Sequence, residues 1–323
     1  MTTQTTRTLP LADLPGTDVA GQTLVEAAKQ DPRIWALTAD VMHSTKTEYF
    51  ALAFPDRFIN VGVAEQTMVG VAAGLATCGK IPFAAAFAAM LSMRACEQIR
   101  TDVAYPNLNV KFIATHSGFA LGPGGTTHHA TEDIAIIRSM ANMTILVPCD
   151  IYQTREAVRA AIAWPGPVYI RLGRGRDPIV YSDGLNYQIG RAVKVREGKD
   201  VTLIGCGRTV AECVLAAEQL AVEGVDARVL DVHTIKPVDA VAIEEAAAQT
   251  KMIFTVEEHS VVGGLGGGVA EVLAGLKHSA PLRRLGVPDI FASIGPQEAL
   301  LAKYGLTADK IFACVCAAYT SAS

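Results

Sequence analysis

Glu65 stands in INVGVAEQTMVGVAAGLATCG, where almost every neighbour is small and apolar, an unusual setting for a carboxylate. In the first turn of a helix the macrodipole favours it there. The other reading is a buried carboxyl able to share a proton with a ring nitrogen. The segment THSGFALGPGGTTHHATEDIA (115–135) adds three imidazoles, His116, His128 and His129, around a glycine-rich loop that opens a helix. Adjacent histidines in a loop seldom point the same way, and no acidic or thiol ligand completes a set, which disfavours zinc. Hydrogen bonding to a polyhydroxylated or phosphorylated substrate suits them better, with loop capping as the plain reading. GCGRTV (205–210), with Asp231 closing the next strand, and GGLGGG (263–268) imitate dinucleotide loops. Val210 occupies the place of the third glycine, and the second string breaks the spacing, so an NAD-linked oxidoreductase is kept only as a rival.

Apolar runs of strand length must hold these residues in place. From Thr17 onward, strands are expected at 33–40, 58–63, 82–87, 110–116, 143–150 and 167–173, with helices at 18–30, 65–78, 92–104, 131–140 and 151–163. Helices between successive apolar strands mean βαβ units and a mostly parallel sheet with helices on both faces. The polar stretch 174–199, with its Pro and several Gly, reads as a linker. Strands at 201–207, 227–233, 252–258 and 282–287 then alternate with helices again. The expectation is an α/β fold with a flexible tail over 1–16, a first domain over 17–187 and a smaller second one over 188–323. In open parallel sheets ligands bind beyond the carboxyl ends of the strands. That edge gathers Asp40, Glu65, Phe87, His116 and Arg174.

Composition agrees with this frame. The 323 residues are 50% apolar, 19% charged and only 6% aromatic, a mix that suits helix-on-sheet packing and argues against an all-β sandwich or a disordered scaffold. A net charge of −4 without long blocks gives no reason to expect nucleic acid or a membrane as partner. Seven cysteines without a C-x-x-C fit a reducing, cytoplasmic setting. No stretch reads as a signal peptide or is long enough to span a bilayer.

Taken in order, DPRIWALTADV, FINVGVAEQ, the Phe87 strand with RACEQIRTDVAYPNLNVKFIATH, GPGGTTHHATEDIA, TILVPCD, DVHTIKPVD and TVEEHSVVGGLGG resemble the C-terminal half of transketolase. The resemblance covers nearly the whole chain beyond the tail. It points in particular to the small subunit of split, two-chain transketolases, made of the pyrimidine-binding and C-terminal domains. Thiamine diphosphate enzymes hold the diphosphate and its Mg²⁺ with a GDG motif followed by Asn. No GDG occurs here, the nearest string being Ser182-Asp183-Gly184 in the linker. The resemblance therefore implies a large partner chain carrying the GDG domain, an α2β2 assembly, and a cofactor lying across the interface.

The same resemblance implies roles residue by residue. Glu65 would hydrogen-bond the aminopyrimidine ring and promote removal of the thiazolium C2 proton; His128 is the second catalytic candidate. Phe87 would stack on the pyrimidine, with Met90 and Met93 standing where the family has aromatics, and Asp40 would lie near the cofactor. Ser44, His116, His128, His129, Gly124 and Arg174 would line the sugar phosphate channel, and no residue is assigned to metal. Gly124 replaces a usual Asp, His129 a usual Gln, and Asp18 stands where a phosphate-binding Arg is usual. The implied reaction moves a two-carbon ketol unit between sugar phosphates. The nearest rival is the β subunit of a 2-oxo acid dehydrogenase, whose loop usually carries a Tyr-His-Ser-Gln-like string in place of TTHH.

Overall fold

The computed structural model describes residues 8–320. Six strands of the first domain are β1 (Ile34–Thr38), β2 (Phe58–Asn60), β3 (Ile81–Phe87), β4 (Lys111–Thr115), β5 (Thr144–Leu146) and β6 (Val168–Arg171). The second domain carries β7 (Val193–Arg196), β8 (Val201–Gly205), β9 (Ala227–Asp231), β10 (Thr234–Lys236), β11 (Met252–Ser260) and β12 (Leu282–Val287). The first sheet runs β10-β5-β6-β4-β3-β1-β2 and the second β12-β11-β8-β9-β7. Every pairing is parallel except β10 on β5 and β7 on β9.

Period-two alternation explains why the first sheet is covered twice. Phe83 and Ala85 of β3, Ile113 of β4 and Ile170 of β6 face the helices Gly16–Gln30 and Ile151–Ala163. Ala84 and Ala86, Phe112 and Tyr169 face the other way, onto the helix Glu65–Thr77 and its neighbours. Both sets are apolar, as buried parallel strands require.

One core spans both domains: the cluster holding Leu37, Met68 and Phe112 runs on without a break into Ile204, Leu230, Ile243 and Val269 of the second domain. Residues 8–15 are not loose, because Ala12 is buried and its N–H bonds Asp177 O at 3.1 Å while Pro10 O accepts from Ile179. The remainder of the expected tail, 1–7, lies outside the described residues. The linker 174–199 contains β7, whose antiparallel pairing with β9 its charged sequence hides.

Arg171 ties the domains together. Its Nε lies 2.8 Å from Asp133 Oδ2, its Nη2 donates to the carbonyls of Ala130 and Glu258, and Tyr169 donates to the same carboxylate. Both charges are buried, so the pair depends on this complete set of partners.

Candidate active site

Sheet order fixes the sequence of groups along one edge. Reading β6-β4-β3-β1-β2, their carboxyl ends lead to Arg174, His116, Phe87, Asp40 and Glu65 in turn. The loops after β4 and β6 are joined, since His116 and Ser117 N–H groups bond Gly173 O and Leu172 O. Asp40 and His116 both adopt a left-handed backbone, with φ of 61° and 58°. Such strain in residues other than glycine concentrates at functional sites.

At the centre, Phe87 is half-buried and its ring lies 4.2 Å from that of His116 and 6.3 Å from that of His128. Burial, then the charge of Arg174 and the neighbouring His128, lowers the pKa of His116 to about 4. The imidazole is therefore neutral near pH 7, with Nδ1 held 2.9 Å from Thr115 Oγ1. His128 Nδ1 lies 2.9 Å from Thr127 Oγ1. Arg174 is exposed at the mouth. Behind it a narrow cavity at the domain junction is lined by Ser117, Arg171, Asp177, Arg208, Glu258 and Gln297.

Glu65 opens the helix Glu65–Thr77 and is 7% exposed. Its carboxyl is ion-paired, which its apolar flank does not announce: Arg94 Nη1 lies 3.2 Å from Oε1 and 3.4 Å from Oε2. A sequence signal existed. Glu65 is the single charge between Arg57 and Lys80, and Arg94 is the next charge after Lys80. Asn60 was also missed; its side chain accepts from the N–H groups of Asp40 and Gly62 and donates to Asp40 Oδ1. Met90 is half-buried on the helix Ala88–Arg94, which leaves β3 directly after Phe87.

Not every expected residue joins this group. His129 is buried beneath the loop, donates from Nε2 to Gly122 O at 2.9 Å and meets Phe119 edge-on at 5.4 Å. Ser44 is exposed on a short helical turn. Asp18 is buried, accepts from Tyr49 and lies 3.9 Å from Lys46 Nζ. Gly124 is exposed, and a Cβ there would lie 3.0 Å from His128 Cβ and 3.2 Å from Leu121 Cγ. Among the described residues no group of three or more His, Cys, Asp or Glu is arranged to hold a metal ion.

The dinucleotide imitations have structural explanations. Asp231 is fully buried and accepts from Gln153 and Tyr181, so it is not available to a ribose. Glu257 accepts from the N–H groups of Leu265 and Gly266, capping the helix Leu265–Ala274. A Cβ at Gly264 would lie 2.0 Å from that carboxylate. No helix among the described residues is long and apolar enough to cross a membrane.

Comparison with known proteins follows the same division of the chain. The family model "Transketolase, pyrimidine binding domain" matches residues 14–178, and "Transketolase, C-terminal domain" matches residues 190–311. A putative transketolase C-terminal section of Methanocaldococcus jannaschii is 44% identical over 294 residues, which is 90% of this chain and 92% of that protein. The 6-deoxy-6-sulfo-D-fructose transketolase subunit SqwH of Clostridium sp. is 45% identical over 288 residues, 89% of each. A solved split gene transketolase, described as an inactive beta4 tetramer, superposes with a TM-score of 0.87 at 46% identity, covering 96% of this chain and 99% of that one.

Proposed function

The chain belongs to the transketolase family, and from that premise we propose that it is the small subunit of a thiamine diphosphate-dependent transketolase. It acts with a separate large chain that brings the GDG diphosphate site and Mg²⁺, in an α2β2 assembly. Together they transfer a two-carbon ketol unit from a ketose donor to an aldose acceptor. The observation that carries this reading is the half-site at the first sheet's carboxyl edge, where the buried Glu65 and the half-buried Phe87 stand on one edge.

These residues fit the pyrimidine of the cofactor, which has a polar edge for a carboxyl and a flat face for an aromatic ring. When bound, thiamine diphosphate supplies the carbanion chemistry. Glu65 would hold a proton at the pyrimidine nitrogen. Phe87 and Met90 flank the ring, an aromatic contact worth about 0.5–1.5 kcal/mol beyond burial. Neutral His116 offers a donor or an acceptor to a sugar hydroxyl, and His128 handles a substrate proton beside it. Arg174, exposed at the mouth, presents a fork suited to a phosphate or sulfonate.

Gly124 favours a donor other than the usual pentulose phosphate, since no carboxylate reaches into the channel from that loop. A relative named for a sulfonated ketose supports the same direction. The names of the relatives also favour ketol transfer over acyl transfer to a lipoyl domain. The test is to mix this chain with the large subunit, thiamine diphosphate and Mg²⁺ and to measure turnover of a panel of ketose donors. Turnover by the mixture is expected. No donor being cleaved, or a 2-oxo acid being the preferred substrate, would overturn the assignment.

A further inference from the structure

The pair between Glu65 and Arg94 joins the most buried carboxyl of the edge to an arm that water reaches. The Arg94 side chain is 53% exposed and that of Glu65 is 8% exposed. One Nη1 reaches both carboxylate oxygens, so a second donor arriving at the carboxyl meets the arginine already on it. Among the described residues Arg94 is the only ion-pair partner of Glu65. The other charges on the surrounding elements are turned elsewhere. Glu97 accepts from Gln98 and Thr101, Asp102 accepts from Thr101, Asp40 is held by Asn60, and Arg100 is exposed. A carboxylate this buried needs a counter-charge, and the first turn of its own helix supplies only part of one.

We propose that Arg94 is a positioning residue that holds the Glu65 carboxyl aimed in the free chain and yields it when an aminopyrimidine docks. This rests on the thiamine reading above. Arg94 sits at the end of the helix that begins after Phe87 and carries Met90, so a ring entering beside Phe87 approaches the same carboxyl. A long, half-exposed arm can return to water at small cost. Cofactor binding then competes with an internal ion pair, which disfavours loading until the partner chain adds its diphosphate contacts.

The test uses Arg94→Met, which keeps the apolar stem, and Arg94→Lys, which keeps the charge. In the isolated chain Arg94→Met should lower Tm at pH 8, where Glu65 is left buried without its partner. Arg94→Lys should restore most of the loss. In the reconstituted complex, fluorescence titration should show Arg94→Met binding thiamine diphosphate about two- to fivefold tighter than wild type, the range expected for a half-exposed ion pair. A wild-type complex that binds and an Arg94→Met complex that binds no tighter overturn the proposal alone. A wild-type complex that binds no thiamine diphosphate overturns the thiamine reading, and this inference with it.

Discussion

The domain junction and the carboxyl edge of the first sheet are equally rich in charged and polar side chains, yet they are finished to different degrees. At the junction Arg171, Glu258 and Glu257 have their partners within the chain. Arg171 satisfies Asp133 and two carbonyls, Glu258 accepts from Phe119 and Gln297, and Glu257 caps a helix. At the edge, His128 has only a neighbouring hydroxyl at Nδ1, Arg174 is exposed, and the carboxyl of Glu65 is held by an arm half in water. Polar groups closed on themselves hold a structure, whereas polar groups left open are ready for something outside the chain. Variants at the two places should therefore fail in different ways, one in activity and the other in stability.

The largest expected effect belongs to the edge. Glu65→Gln should leave assembly intact and lower ketol transfer by about 10²–10⁴-fold, because an amide cannot exchange the proton. Steady-state rates and proton exchange at the thiazolium C2 check it; unchanged exchange would remove Glu65 from the chemistry. At the junction, Arg171→Ala should cost about 3–5 kcal/mol in urea unfolding of the isolated chain, since Asp133 is left charged and buried. A loss under about 1 kcal/mol there would erase the distinction between the two regions.

Gly124 sharpens the comparison from within the edge. Its missing Cβ gives His128 its seat, at 3.0 Å from where a side chain would begin. Gly124→Asp thus adds a carboxylate and also displaces His128. Ratios of kcat/KM between donors should move toward the usual xylulose 5-phosphate by about 1–3 kcal/mol. If a donor panel keeps its ratios, the loop does not select the sugar.

A pH effect on stability comes from the opposite edge, where the buried Lys111 donates to the carbonyls of Trp164 and Gly166 at 2.7 and 2.6 Å. Burial lowers its pKa to about 7, and a neutral amine has two N–H groups for two carbonyls. Folding favours the neutral form, so this stability is complete above the unfolded value of about 10.4 and is lost as pH falls through 7. Between pH 7 and 9 unfolding free energy should rise by up to about 1.4 kcal/mol per unit from this group. Lys111→Met should flatten that slope; an unchanged slope would show that another group sets it.

Much of this was legible in the sequence because the burial that fixes the fold is repetitive. Alternating faces of β3 and β4 are both apolar, and the helix Ile151–Ala163 was expected at its observed bounds, with Asp150 capping it through Gln153 N–H. Strands β7 and β10 were missed because they are three or four residues long and paired by backbone rather than by an apolar face. At the site, Glu65, Phe87 and His116 could be placed from strand ends alone. Arg94 could not, because its contact with Glu65 is made across 29 residues and depends on how the intervening helix crosses the sheet. His128 and His129 look alike in sequence, and only packing sends His129 under the loop.

The most direct test of a half-finished edge is equilibrium binding of thiamine diphosphate with Mg²⁺, by calorimetry, to this chain alone and to its mixture with the large subunit. The account predicts no saturable binding by the isolated chain and one cofactor bound per small subunit in the mixture. Tight binding by the isolated chain, or none by an assembled mixture, would contradict it.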